Sequence, residues 1–160
     1  MRAPLRVFPD TGVLLAMIVF PRNRAGALTL AGEVLDAYRA GEFELVIGQA
    51  VVDELDQVLD ERFAAHRAKA VTMLRPFAGR LTRRPTPAEI ASVLSFCMDP
   101  SDAPIFASAL IALPAVVLAN DFHAFHATTA KVLWAEHGIA VESLYGLLCQ
   151  LGRRERRTKI

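Results

Sequence analysis

Short apolar runs alternate along the chain with longer stretches in which apolar residues recur every three or four positions. The runs are typical of buried strands, and the helical spacing is typical of amphipathic helices. Strands that alternate with helices predict right-handed crossovers and an α/β fold with a mostly parallel central sheet, covered on both faces. The predicted strands are LRVF at 5–8, ELVIG at 44–48, GRLTR at 79–83, AVVLA at 115–119 and IAV at 139–141.

Helices are predicted between these strands. Gly41 is expected to end one of them in a left-handed turn, and Ser101 and Ser143 are expected to cap two others at their amino ends. Pro114 closes the helix that starts near Ser101. The predicted helical ranges are 12–20, 27–40, 49–63, 65–78, 87–96, 101–113, 124–136 and a last helix from 143 onward.

Four acidic residues stand directly after predicted strands or near the start of the next helix: Asp10, Glu54, Asp102 and Asp121. The carboxyl ends of parallel strands form one crevice, so these side chains are expected to converge despite their separation in sequence. Taken one at a time they also fit ordinary turn or helix-capping roles. Together they predict a site for a hard cation, because clustered carboxylates repel one another unless Mg²⁺ or Mn²⁺ neutralises them.

Phosphodiester hydrolysis is the chemistry that such a site supports. Ions held by carboxylates activate a water and stabilise the leaving oxygen, so no covalent nucleophile is needed. The sequence contains no nucleophile elbow, no phosphate-cradling glycine loop and no histidine pair with zinc spacing. A phosphatase that uses Asp10 as nucleophile would need a second Asp two positions later, where Gly12 stands.

The chain resembles a PIN-domain ribonuclease over nearly its whole length. More narrowly it resembles the VapC-like toxin components of toxin-antitoxin pairs. Each motif is short, and it is their order and spacing that carry the resemblance. The motifs are DTGVL at 10–14, LVIGQAVVDELDQVL at 45–59, DPSDAPIFASAL at 99–110 and VVLANDFHAF at 116–125.

The resemblance implies a three-layer α/β/α sandwich and an endoribonuclease that holds Mg²⁺ or Mn²⁺. It assigns the catalytic and metal-ligand roles to the four acids named above. It selects Glu54 over its neighbour Asp53, since consecutive helical residues point about 100° apart. Asp99 is a candidate additional ligand, and Arg22 and Arg24 are candidate contacts to RNA phosphates. The implied partners are an RNA substrate, a small antitoxin protein and a second copy of the chain in a homodimer.

Three departures from the family pattern keep a second interpretation open. Gly12 stands where the family usually has Asn, and Ala119 stands where it usually has a hydroxyl residue. Pro9 also removes a backbone donor beside Asp10. The alternative is therefore a PIN-like module with weakened catalysis that acts by binding RNA or a protein.

Length and charge set the boundaries of the expected domain. A chain of 160 residues fits one domain, which we place at residues 1–152. This body carries 13 basic and 16 acidic residues, whereas the segment 153–160 is basic and is expected to be a flexible tail. No apolar run is long enough to span a membrane, and no secretory signal is evident, so we expect a cytoplasmic protein with no membrane contact.

Overall fold

Four short strands form one sheet in which each strand runs parallel to its neighbours. The protein is described here by a computed structural model that covers residues 2–120 and 126–156. The order across the sheet is β2-β1-β3-β4, so the predicted α/β/α architecture with a parallel sheet is confirmed. The strands are β1 (Arg6–Pro9), β2 (Glu44–Leu45), β3 (Val116–Leu118) and β4 (Ala140–Glu142).

The two central strands are β1 and β3. Val7 pairs with Val116, and Pro9 pairs with Leu118. All three residues of β3 are buried, as are Val7 and Phe8 of β1. The apolar run at 115–119 was expected to be covered on both faces, and this burial confirms it.

Eight α-helices occur in the described residues, and they surround the sheet. Three short 3₁₀ turns accompany them at Ala64–His66, Arg75–Phe77 and Pro100–Asp102. The helix predicted at 65–78 is thereby divided into three pieces. The helices are α1 (Thr11–Val19), α2 (Leu30–Arg39), α3 (Gln49–Arg62), α4 (Arg67–Leu74), α5 (Pro87–Val93), α6 (Ala103–Ala112), α7 (Ala127–His137) and α8 (Leu144–Gln150).

Hydroxyl residues start several of these helices by accepting a backbone hydrogen bond from the first turn. The Ser143 side chain accepts from the Gly146 nitrogen at 2.9 Å, which confirms the predicted cap of α8. Gly41 follows α2 with φ of 75°, the left-handed conformation expected of it. The Ser101 prediction is wrong. Asp99 accepts from the Ser101 nitrogen at 2.9 Å and starts the 3₁₀ turn, and α6 begins only at Ala103.

The segment predicted as a strand at 79–83 is not a strand. It makes one isolated parallel bridge, between Thr82 and Gly48. The Thr82 nitrogen donates to the Ile47 carbonyl, and the Gln49 nitrogen donates to the Thr82 carbonyl. Gly48 is the amino-terminal cap of α3, so the chain after it is helical. The segment 79–83 therefore has no extended strand to pair with beyond Thr82. β2 has two residues where five were predicted at 44–48, although the Val46 nitrogen still donates to the Val7 carbonyl.

The first residues of the basic segment 153–160 contact the body of the protein. Arg153 forms an ion pair with Glu42, and Arg154 forms one with Glu33 at 2.7 Å. The Tyr145 hydroxyl donates to the Glu155 carbonyl at 2.7 Å. Residues 157–160 lie outside the described part, so the flexibility of the tail stays a prediction.

None of the helices in residues 2–120 and 126–156 is long and apolar enough to cross a bilayer.

Candidate active site

A cavity of about 190 Å³ opens at the carboxyl end of β1 and β3. β1 and β3 are the two central strands, with β2 at the outer edge of β1 and β4 at the outer edge of β3. The strand order therefore runs in opposite directions from these two strands. Ligand sites of open parallel sheets lie at such a reversal of strand order. The cavity is lined by Asp10, Glu54 and Asp102, by Thr11, Gly12, Ala119 and Asn120, and by the apolar residues Ile105, Phe106 and Val117.

Asp10 is held at the cavity by both its backbone and its side chain. Its nitrogen donates to the Leu118 carbonyl at 2.9 Å, which extends the pairing of β1 with β3 by one residue. Its Oδ1 accepts from the Val13 nitrogen at 2.8 Å, so Asp10 is also the amino-terminal cap of α1. A carboxylate at this end of a helix is stabilised by the helix dipole. The strand-to-helix turn therefore fixes an anionic oxygen at the cavity wall.

Glu54 enters the same cavity from the second turn of α3. The residue as a whole is exposed, yet its carboxyl group lies deep enough that burial raises its pKa. The nearby Thr11 hydroxyl lowers the pKa, and the negative charge of Asp102 raises it further. The net shift is upward. Burial together with a like charge is the condition that a bound cation would relieve.

Asp102 lies at the junction between the 3₁₀ turn Pro100–Asp102 and α6. Its side chain makes no capping hydrogen bond to that helix. Its charge reaches two neighbours, because it raises the pKa of Glu54 and contributes to that of Cys97. Burial, and after it the carboxylates of Asp102 and Asp99, raise the pKa of the Cys97 thiol to about 11. The electrostatic potential at this corner of the site is therefore negative.

Asp53 and Glu54 are adjacent in α3, but their side chains point in different directions, as expected for consecutive helical residues. Asp53 points away from the cavity and binds Arg84, whose Nε and Nη2 lie 2.6 Å and 2.9 Å from its carboxylate oxygens. The side-chain hydrogen bond from Arg84 is the largest cause that lowers the pKa of Asp53. Two adjacent acids thus have opposite shifts because they face different surroundings.

The remaining predicted site residues do not line the cavity in the described part of the chain. Asp99 caps the turn before α6 as described above. Arg22 is exposed and donates to the Gly26 carbonyl at 2.7 Å within its own loop, and Arg24 is exposed in the same loop. Asp121 lies outside the described residues.

Thr11 is a site residue whose side chain the sequence did not single out. Its Oγ1 is buried and makes no hydrogen bond of normal geometry among the described residues, although it is close enough to Glu54 to lower that pKa. A buried hydroxyl without such a bond costs about 1–3 kcal/mol. A bound ion, water or substrate oxygen at the cavity would satisfy it. The sequence feature that could have pointed to Thr11 as a site residue is its position directly after Asp10.

The carboxylates share a cavity without forming a compact cluster. Within residues 2–120 and 126–156, no three acidic, histidine or cysteine side chains lie close enough to hold one ion by themselves. Mg²⁺ commonly keeps several waters and binds through one or two carboxylates. The oxygen-only donor set is accordingly of the right type for a hard divalent ion, and waters would complete the coordination.

The family follows from comparison with known proteins. A family model described as the PIN domain matches residues 6–123. The chain belongs to the PIN-domain family. None of the curated proteins matches it, and neither does any solved structure.

PIN domains are generally nucleases, and those nucleases generally use divalent metals. The matched range begins with β1 and extends past β3, so it includes the strand ends that form the cavity. The PIN domain of this chain therefore has the nuclease-type fold, and its cavity lies where that fold brings Asp10, Glu54 and Asp102 together.

Proposed function

We propose that this PIN domain is an endoribonuclease that depends on Mg²⁺ or Mn²⁺. One observation carries the proposal: Asp10, Glu54 and Asp102, from three distant parts of the sequence, line a single cavity at the carboxyl end of the central strands. Asp121, which follows β3 closely in sequence, is the proposed fourth acid. Asp99 remains a candidate additional ligand through its negative charge beside Asp102 and Cys97.

The residues have distinct tasks in the proposed reaction. Asp10 and Asp102 supply carboxylate oxygens for a cation, and the helix cap holds Asp10 in one orientation. Glu54, whose pKa is raised by burial, is suited to accept a proton from a water that attacks the phosphorus. The P–O bond to the leaving oxygen breaks as the new bond forms, and that oxygen takes up a proton from solvent. Thr11 offers its hydroxyl to that water or to a phosphate oxygen. When bound there, Mg²⁺ or Mn²⁺ supplies positive charge for the phosphate and the water.

The RNA strand is proposed to lie across the mouth of the cavity, with Arg22 and Arg24 reaching its phosphates. Both guanidinium groups belong to exposed residues of the loop that follows α1. Phosphate contacts of this kind position a strand without reading its sequence. Their loss should weaken binding and leave the cleavage step itself intact.

The decisive experiment is cleavage of a structured RNA by purified protein with Mg²⁺ or Mn²⁺, with and without EDTA. Asp102→Asn and Glu54→Gln should each reduce cleavage by roughly 100-fold or more, the scale expected when one preorganised charged group is removed. Asp53→Asn is the matched control, because Asp53 is adjacent to Glu54 in sequence but binds Arg84 outside the cavity. It should retain activity near that of the wild type.

A binding module with weakened catalysis is the second candidate function. Ala119, which is buried and lines the cavity, contributes no hydroxyl there. Binding of RNA with no cleavage under either ion would favour this candidate and contradict the nuclease proposal.

The toxin role, the small antitoxin partner and the homodimer rest on the resemblance to VapC-like proteins. If they hold, induced expression of the chain should arrest bacterial growth, and Asp102→Asn should relieve the arrest. Light scattering of the purified protein should give twice the mass of one chain, and a monomer mass would contradict the dimer.

A further inference from the structure

The Asn120 side chain fills the space in which a side chain at Gly12 would lie. A Cβ built on Gly12 would lie 2.8 Å from Oδ1 of Asn120 and 3.6 Å from Oδ1 of Asp10. The first distance is shorter than real Cβ contacts. The Asn120 amide therefore occupies the volume that a side chain at position 12 would take.

The backbone at Gly12 gives no reason for a glycine. Gly12 is the second residue of α1, and it is not among the glycines with positive φ. Glycine inside a helix costs about 1 kcal/mol relative to alanine. Close approach of the Asn120 side chain is the feature of the structure that explains the residue.

The strand pairing fixes this approach. Pro9 lies opposite Leu118 in the sheet, and the Asp10 nitrogen donates to the Leu118 carbonyl. The chain then leaves β1 toward Gly12 and leaves β3 toward Asn120 at the same edge. Both residues line the cavity together with the Asp10 carboxylate.

We infer that Asn120 is a positioning residue for the Asp10 carboxylate, placed there by the absence of a side chain at Gly12. This inference rests on the proposed function. The amide carries two donors and an acceptor, so it can orient the Asp10 carboxylate and a water beside it. A side chain at Gly12 would therefore displace the Asn120 amide from this part of the cavity.

The test is a mutant cycle on the full chain, with Mn²⁺ affinity measured by calorimetry and RNA cleavage measured in parallel. Asn120→Ala should weaken Mn²⁺ binding by about 10- to 100-fold, as loss of residues that orient metal ligands does. Its thermal midpoint should change little, because Asn120 is exposed. Gly12→Asn alone should also impair binding, because the added side chain displaces the Asn120 amide from its place beside Asp10.

The double variant Gly12→Asn with Asn120→Ala transfers the amide to the opposite side of the same space. It should bind Mn²⁺ more tightly than either Gly12→Asn or Asn120→Ala, which additive effects would not produce. Gly146→Ala is the matched control. Gly146 is also a helical glycine, in α8, and a Cβ there would meet the flexible carboxylate of Glu142, which lies outside the cavity. It should leave Mn²⁺ affinity unchanged.

The outcomes separate the inference from the function on which it rests. Unchanged Mn²⁺ affinity in Asn120→Ala would overturn the role of Asn120. A double variant that binds Mn²⁺ no more tightly than the tighter-binding of the two single variants would overturn it as well. Mn²⁺ binding by the wild type without any RNA cleavage would overturn the nuclease proposal alone, since the affinity cycle still reports on Asn120. A wild-type protein that binds no Mn²⁺ would overturn both.

Discussion

The Asp10 carboxylate accepts a hydrogen bond from the Val13 nitrogen at 2.8 Å while it lines the cavity. One side chain therefore both caps α1 and contributes charge to the proposed site. Asparagine and aspartate are comparable helix caps, so Asp10→Asn should keep the stability of the wild type and lose at least about 100-fold in RNA cleavage.

Asp10→Ala is the companion variant, because alanine supplies neither the cap nor the charge. It should lose cleavage to the same extent and also about 1 kcal/mol of unfolding free energy. Urea denaturation of both variants measures the difference. Equal stabilities for the two would show that the cap contributes nothing.

Close packing between the start of α3 and the middle of α6 gives a second prediction. A Cβ at Gly48 would overlap Oγ of Ser108 and lie 3.2 Å from two ring carbons of Phe8. Gly48 has φ of −88°, which any residue adopts, so the obstacle is steric alone. Gly48→Ala should lower the free energy of unfolding by about 1–3 kcal/mol, measured by urea denaturation.

The Ser108 hydroxyl is fully buried and has no hydrogen-bond partner within the described residues. Ser108→Ala removes this hydroxyl and should be neutral or slightly stabilising. In the Gly48→Ala background it should recover part of the lost stability. A loss above about 1 kcal/mol for Ser108→Ala alone would mean that the hydroxyl has a partner.

Leu113 ends α6 in the left-handed conformation with φ of 48°, although it is not a glycine. This conformation costs a side-chain-bearing residue roughly 1 kcal/mol, and Leu113 is 59% exposed, so it recovers little by packing. Leu113→Gly should therefore raise the thermal midpoint. Leu94 is also exposed but has right-handed helical angles, so Leu94→Gly should lower the midpoint. An equal fall in both variants would contradict the strain at Leu113.

The amino end of α5 predicts a dependence of stability on pH. Glu89 accepts hydrogen bonds from Arg83 and from the Thr86 nitrogen, and these lower its pKa to about 2. Because the folded pKa lies below the ordinary value of 4.5, the stabilisation is present above pH 4.5 and is lost as the pH falls toward 2.

Urea denaturation of the wild type and of Glu89→Gln across this range measures the effect. The wild type should be the more stable of the two at pH 6, and the difference should shrink as the pH approaches 2. A difference that is constant with pH would show that the Glu89 carboxylate has the same pKa in the folded and unfolded chains.

Elements with a clear apolar pattern were predictable from the sequence. The runs at 5–8 and 115–119 became β1 and β3, and the helix predicted at 49–63 became α3 almost residue for residue. These elements form the core, where burial requires one periodicity and excludes others. The convergence of Asp10, Glu54 and Asp102 followed from this topology, because Asp10 follows β1, Glu54 lies in α3, and Asp102 directly precedes α6.

Features that depend on a single hydrogen bond or on a distant neighbour were not predictable. Ser101 and Asp99 are both good caps, and only the backbone path before α6 selects Asp99. Thr82 meets Gly48 at one bridge because α3 begins there, which local sequence does not encode. The contact between Gly12 and Asn120 required knowledge of which strands are neighbours.

The pairing of β1 with β3 also has a consequence for synthesis. Val7 and Val116 are neighbours in the sheet, although about two thirds of the chain separates them. Contacts of such long range require the closure of a large loop, which makes them slow to form. During translation, the cavity that Asp10 lines is complete only after β3 has left the ribosome and paired with β1. A nascent chain that lacks β3 therefore carries no assembled site, and any nuclease activity requires β3 to be in place.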